Sequence, residues 1–272
     1  MPDSTSQGGD MVLSREQVGQ ISRELIEAEK TCVAIEALTD RFKEVGYEDS
    51  YAIQLKTFEM KVKAGAIIVG KKIGLTSQAM MDQFGIREPD YGMITDTMVA
   101  REGAALSMSS LILPKVEPEI AFLLKKDLTG PGVNVANVLD ATEGVMPAFE
   151  VIDSRFKDWK ITVKDSIADN ASASTMILGG KLTPIKDLDM RLIGMVMEKN
   201  GEIISTGAGA AVLGNPAESV AWLANKLTEY GISLKKGDFV MSGSLVSAVK
   251  VEAGTNMTAT FDRLGSVSVR FE

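Results

Sequence analysis

Histidine is absent from all 272 residues. That removes the side chain most often used as a general acid–base near neutrality. Any chemistry has to be done by carboxylates, lysine, hydroxyls, water or a metal ion. Cysteine is nearly absent: Cys32 stands alone, which excludes an internal disulfide and fits a reducing compartment. It falls in the apolar part of a region with helical spacing, where inert packing is the expected fate of a free thiol. No apolar run approaches the ~20 residues of a membrane span. The opening MPDSTSQGGD lacks the basic and apolar regions of a signal peptide. Basic residues are outnumbered 29 to 37, a formal charge of −8, which argues against a broad nucleic-acid footprint. The expectation is a cytoplasmic, soluble protein with neither nucleic-acid nor membrane partners.

Residues 1–13 read as a flexible arm rich in Ser, Gly and Asp. Residues 14–65 read as an N-terminal helical region. Ser14-Arg15-Glu16-Gln17 fits a capping box, followed by Val18, Ile21, Leu25 and Ile26 at helical spacing. A second helix is expected from Asp49 to Ala64, with Ala52, Leu55 and Met60 on its apolar side and Gly65 ending it. From residue 66 to residue 272 short strands dominate. AIIVGKKIGL is a buried strand leading into a turn, and SQAMMDQFG a short helix from Ser77 to Gly85. Pro114 and Pro118 interrupt LILPKVEPEIAFLL, which argues against a regular central strand. Asn134 opens a short helix, VMPAFEVID is a strand, and Asn200-Gly201 is a hairpin turn. Asn215-Pro216 starts a helix that Gly231 ends. Few helices against many short strands indicate an α+β roll or barrel, not a Rossmann sheet.

Two nucleotide-like patterns fail on inspection. Gly65 to Lys72 has the outer spacing of a P-loop, but Lys72 stands where Ser or Thr belongs and strand formers fill the loop. Gly207 to Gly214 misplaces the third glycine of a dinucleotide loop. It reads instead as a close-packed loop lining a pocket.

The carboxylates make the stronger case. Glu117 and Glu119 are two apart in VEPEIAF, so on a strand they share a face. Leu111 to Leu113 and Ala121 to Leu124 make the flanks too apolar for a solvated surface, and Glu150 sits in a second apolar strand. Carboxylates crowded in apolar surroundings repel one another and resist desolvation. A hard divalent cation such as Mg²⁺ or Mn²⁺ relieves both, leaving positions for water and substrate. Asp153 and Arg155 are expected to orient these ligands. One of Lys71 and Lys72 should face inward and the other solvent. Asp90 lies in a Pro-led turn in EPDYG, and Asp169-Asn170-Ala171-Ser172 is a polar island before an apolar strand. Met93, Met146, Phe149 and Trp222 are either core or pocket-shaping residues.

GKKIGLTS, EPDYG, VEPEIAF, FEVIDSR, DSIADNAS, MEKNGEIISTGAGAAVLG, SGSLV and LGSVSVRF occur in this order from Gly70 onwards. Together they resemble the fumarylacetoacetate hydrolase superfamily, within it the 2-hydroxypenta-2,4-dienoate hydratase and 4-oxalocrotonate decarboxylase group. The resemblance implies a mixed β-roll catalytic domain over 66–272 and a Mg²⁺ or Mn²⁺ ion held by Glu117, Glu119 and Glu150. It implies Lys72 and Asp90 as catalytic residues, and Ser172 and Asn170 near a small 2-oxo or 2-hydroxy-dienoate substrate. It also implies a homo-oligomer, with a possible complex between pathway hydratase and decarboxylase. The superfamily's carbon–carbon hydrolases use a histidine–glutamate pair to activate water, which this chain cannot supply. Decarboxylases of the group tend to carry an apolar residue at the position of Asp90, so a carboxylate there favours the hydratase, which needs a base for water. The alternative is 4-oxalocrotonate decarboxylase. A non-catalytic binding protein is the reading from another class, and it predicts metal or oxalate binding without turnover.

Overall fold

In the computed structural model the described residues are 11–77, 81–82 and 86–272. Residues 1–10 of the expected arm, and most of the helix expected between Ser77 and Gly85, lie outside them.

Helix α1 (Arg15–Thr31) starts as its capping box requires, with the Ser14 hydroxyl accepting from Gln17 N. It ends at Cys32 in the left-handed conformation (φ 55°), half-exposed, so the thiol caps a helix and is not packed in a core. A short α2 (Leu38–Arg41) leads to α3 (Tyr47–Lys63). The buried face of α3 is Tyr51, Ile53, Gln54, Thr57 and Phe58, rotated from the expected Ala52, Leu55 and Met60. Polar residues take this face because they have backbone partners: Gln54 Nε2 donates to Tyr91 O (2.7 Å) and Ile167 O (3.1 Å).

Thirteen strands form two sheets among the described residues. The large one runs β2 (Asp90–Thr95), β1 (Ile68–Gly74), β10 (Phe239–Ser244), β5 (Lys115–Leu124), β6 (Thr142–Ile152), β7 (Ala173–Leu178) and β3 (Val99–Arg101). The two-residue β11 (Val249–Lys250) continues from β10 along β5. The smaller sheet is β4 (Ala105–Leu106), β13 (Gly265–Phe271), β12 (Asn256–Phe261), β8 (Gly194–Lys199) and β9 (Glu202–Ala208). The β8–β9 hairpin turns at Asn200 and Gly201, both at positive φ, as that dipeptide dictates.

Strand alternation sorts the large sheet's faces. Val116, Ile120 and Phe122 of β5, Val145, Phe149 and Val151 of β6, and Tyr91 and Met93 of β2 enter the main core. There they meet the inner side chains of the smaller sheet and α6 (Pro216–Thr228), which Asn215 caps and which follows α4 (Val135–Ala141) and α5 (Val163–Ala168) in the chain. Met146 and Phe149 are plain core, and Trp222 packs at its edge. The opposite face carries Lys72, Asp90, Glu117, Glu119 and Glu150.

Contrary to the expectation from its prolines, β5 is a regular ten-residue strand in the middle of the sheet. Pro118 is accommodated because its backbone edge faces the break between β10 and β11, where Leu245 N donates to Pro118 O (3.1 Å). Edge strand β2 is covered by side chains. Gln54 takes the Tyr91 carbonyl, and Asn170 pairs with both N and O of Met93 (2.7 and 2.9 Å). Tyr51 stacks on Tyr91 at 4.9 Å, so α3 shares the main core. None of the helices described is long and apolar enough to cross a membrane.

Candidate active site

The β5–β6 register sets Glu117 directly opposite Glu150, with Glu119 one step further along the same face. Like charges opposite each other on adjacent strands are destabilising. Carboxylate oxygens of the three lie within 4.8 Å of one another. Glu119 and Glu150 are fully buried, and Glu117 is half-buried where it meets the cavity. Glu119 Oε2 accepts from Gly243 N (2.7 Å), but Glu119 Oε1 and Glu150 Oε2 have no partner, and Glu150 Oε1 has only the Lys72 ammonium. Burial, then the neighbouring Glu150, pushes Glu117 up to about 7 despite Lys72 nearby. Burial with Glu150 and Glu117 holds Glu119 well above the usual carboxylate range.

Strand β1 brings Lys72 to this cluster. Its Nζ lies 3.3 Å from Glu150 Oε1 and donates to Ala171 O at 3.0 Å. Burial disfavours its charge, but Glu150, Asp90, Glu117 and Glu119 outweigh burial and keep it protonated. Lys71 does not face solvent as expected. It is buried too, paired at 2.6 Å with Asp238. Asp90 is the first residue of β2, opposite Gly74. Its Oδ2 accepts from the Ser166 hydroxyl (2.9 Å), while Oδ1 is buried without a partner. Burial raises its pKa, against the pull of Lys72 and Ser166.

Four carboxyls therefore face one ammonium. Two unpartnered, buried glutamate oxygens and an all-oxygen donor set fit a hard divalent cation, which would remove the charge imbalance. The residues present suit the metal that the motifs imply.

Two lobes of cavity meet at Gly74, Leu75 and Glu117. One of about 450 Å³ is bounded by Lys72, Asp90, Ser166, Ala171 and Ser172, with Leu75, Ile86, Ile152, Trp159, Ile161 and Val163 supplying apolar wall. The other, about 300 Å³, lies against Thr76, Ser77 and the Ser244–Ala248 segment. Ala211 lines it too, so the glycine-rich loop does reach a pocket. Ser172 Oγ is buried without a partner beside the first lobe. Asn170 is not comparable: its amide is spent on Met93 and does not line the cavity.

Asp153 and Arg155 do not orient the glutamates. Asp153 accepts from Ile112 N and Leu113 N (2.7 and 2.6 Å), and Arg155 pairs with Asp169. Sequence reasoning missed Ser166, Trp159 and Ile161. Ser166 could have been suspected from its place in the SIADNAS run. Trp159 adopts a left-handed conformation (φ 56°) that nothing local announces.

Residues 73–272 match the family described as "Fumarylacetoacetate (FAA) hydrolase C-terminal". A 2-hydroxyhexa-2,4-dienoate hydratase of Comamonas testosteroni is 43% identical over 249 residues, 91% of this chain and 94% of that protein. A 4-oxalocrotonate decarboxylase of Pseudomonas putida is also 43% identical, over 259 residues, 95% of this chain and 98% of that protein. The solved 4-oxalocrotonate decarboxylase from Pseudomonas putida G7, complexed with magnesium and adipate, superimposes with a TM-score of 0.94 at 42% identity, covering 97% of this chain and 100% of that one. The chain belongs to the fumarylacetoacetate hydrolase family, in the group of 2-keto-4-pentenoate hydratases and 4-oxalocrotonate decarboxylases.

Proposed function

We propose that the protein is a metal-dependent hydratase that adds water to 2-hydroxypenta-2,4-dienoate, or a derivative with an uncharged 5-substituent, giving a 4-hydroxy-2-oxo acid. The observation that carries this reading is Asp90: a buried carboxylate, tethered through one oxygen by Ser166, with the other oxygen unpartnered beside the cavity. A hydratase needs such a base for water, and a decarboxylase does not. The cavity wall adds support. Lys72 is the one cationic side chain lining either lobe among the described residues, and Glu150 and Ala171 already engage it. Residues 78–80 and 83–85 contain no lysine or arginine. Among the residues lining the apolar lobe a second substrate carboxylate, such as that of 4-oxalocrotonate, would find no ionic partner, although Lys115 stands on the Trp159 ring at 3.7 Å.

A divalent cation held by Glu117, Glu119 and Glu150 supplies a Lewis acid for the 2-oxo acid moiety. The chain's own groups do the rest. Lys72 gives a proton to C5 and regains one as the 2-hydroxyl ionises, converting the dienol to the α,β-unsaturated 2-oxo acid. Asp90 Oδ1 takes the proton of the water that adds at C4 and returns it to C3, so both groups end as they began. Ser166 fixes the Asp90 carboxyl, and Ser172 Oγ donates to a substrate oxygen. Leu75, Ile86, Trp159 and Ile161 pack the hydrocarbon end and keep bulk water out. The decarboxylase reading keeps two supports, the equal identity to a relative of that name and the likeness to the solved decarboxylase complexed with adipate.

The test is metal-stripped protein with freshly generated 2-hydroxypenta-2,4-dienoate and Mg²⁺ or Mn²⁺ restored, with products identified by mass. The hydratase reading expects loss of dienol absorbance and a product heavier by one water. Asp90→Asn should then lower kcat by about 10²–10⁴-fold with metal affinity retained. No hydration, but CO₂ release from 2-oxo-3-hexenedioate, overturns it.

A further inference from the structure

Between α5 (Val163–Ala168) and β7 the chain passes through three consecutive non-glycine residues at positive φ: Asn170 (58°), Ala171 (51°) and Ser172 (55°). Cβ sterics disfavour each of these conformations, and a run of three persists only where the surroundings impose it. Its apex carbonyl, Ala171 O, receives the Lys72 ammonium. Its last side chain, Ser172, faces the cavity with no partner.

Asn170 anchors the start of the turn on Met93, Asp153 N donates to Ser172 O (2.8 Å), and the buried Arg155 guanidinium is the group that brackets both ends. It donates to Asp169 O on one side of the turn and to Ala173 O (2.9 Å) on the other. A third bond goes to Asp153 O (2.6 Å), and Nε pairs with the Asp169 carboxylate. That carboxylate also accepts from Arg155 N (3.0 Å) and the Ser154 hydroxyl (3.2 Å). A planar fork with five donors can satisfy two carbonyls flanking a turn while anchoring to a carboxylate, and a lysine cannot.

We infer that Arg155 is a positioning residue for the reaction: by bracketing the Asn170–Ser172 turn it holds the Ala171 carbonyl against Lys72 and Ser172 toward the substrate. The glutamate cluster stands on β5 and β6, outside the bracket, so metal binding does not depend on it. Only the turnover readout rests on the hydratase reading.

The test is Arg155→Lys, which keeps the buried positive charge beside Asp169 but cannot span both carbonyls. A misplacement approaching 1 Å at a proton-transferring group predicts a fall in kcat of about 10–10²-fold, with KM rising by less than about tenfold as Ser172 loses its hold on the substrate and Mg²⁺ affinity within about twofold of wild type. Assays run far below the unfolding temperature, so a merely structural role leaves kcat per folded molecule unchanged. Ala171→Gly removes the Cβ penalty at the apex. Arg155→Lys/Ala171→Gly, read against Ala171→Gly alone, should therefore recover much of the lost kcat. Unchanged kcat in Arg155→Lys, or a parallel loss of Mg²⁺ affinity, overturns the inference. If wild type turns over no dienoate, the proposed reaction fails instead. A crystal structure of Arg155→Lys then decides, because an Ala171 O–Lys72 Nζ distance still at 3.0 Å refutes the bracket. Should that variant not fold, Asp169→Asn weakens the same anchor, and unchanged kcat there refutes the bracket equally.

Discussion

Gly74 offers a direct probe of how tightly the site is set. It pairs with Asp90 across β1 and β2, and a methyl built on it overlaps Asp90 Oδ1 while standing 3.0 Å from Lys72 Nζ and 3.3 Å from Asp90 Cγ. The backbone at Gly74 is ordinary strand, so Gly74→Ala introduces no conformational strain. The oxygen must retreat by about 1 Å to restore van der Waals contact, and a displacement of that size at a reacting group costs about 10²-fold in turnover, or about 2.7 kcal/mol of barrier. Stability should also fall. Losing the Ser166–Asp90 hydrogen bond costs about 1.5–3 kcal/mol, which replacing a strand glycine by alanine offsets by roughly 0.5–1 kcal/mol, a net loss of about 0.5–2.5 kcal/mol. The assay is dienol turnover at saturating Mg²⁺, beside urea denaturation and a metal titration. In an Asp90→Ala background the overlap is gone, so Gly74→Ala should cost little further. A Gly74→Ala enzyme with kcat within threefold of wild type would refute the assignment of Asp90 to the reaction.

Glu119→Gln should weaken Mg²⁺ at least about tenfold, yet raise the melting temperature of the metal-free protein, because a buried carboxylate with one orphaned oxygen becomes neutral. Isothermal titration and a thermal melt in EDTA would check both signs. Metal-free stability should fall as pH rises: Glu117 sits up to about 7 when folded and near the usual carboxylate value when unfolded, so its stabilising proton is present below about 4.5 and lost by about 7. Mg²⁺ should reverse the trend increasingly toward high pH, and a melting temperature that climbs over this window without metal would contradict the burial argument. Gln54→Met strands two buried carbonyls, Tyr91 O and Ile167 O, and should cost about 2–4 kcal/mol in urea unfolding. A loss below about 0.5 kcal/mol would mean that α3 does not brace β2.

The glutamate cluster was legible because a period of two is imposed by the strand itself, wherever that strand lies. Caps at Ser14, Asn134 and Asn215 and the Asn200-Gly201 turn were legible for the same reason: each acts within three residues. What stayed hidden depends on distant partners. Pro118 fits a central strand only because β10 breaks beside it. Lys71 is buried only because Asp238, 167 residues away, meets it. The inward face of α3 was misread because Gln54 and Thr57 are polar, and only the carbonyls they meet make burial tolerable. Arg155 and Asp169 pair across a turn whose left-handed residues have no signature in their side chains.

The two lobes meeting at Glu117 have walls from different stretches of chain. The apolar wall owes Trp159 and Ile161 to the connection after β6 and Val163 to the first turn of α5, while the second lobe is closed by the end of β10 and the residues that follow it, Ser244–Ala248. Neither stretch contributes a glutamate of the cluster. Redesign of Trp159 and Ile161 can therefore retune substrate length, and a library confined to those two positions leaves the Thr162 cap of α5, and with it Ser166 on Asp90, in place.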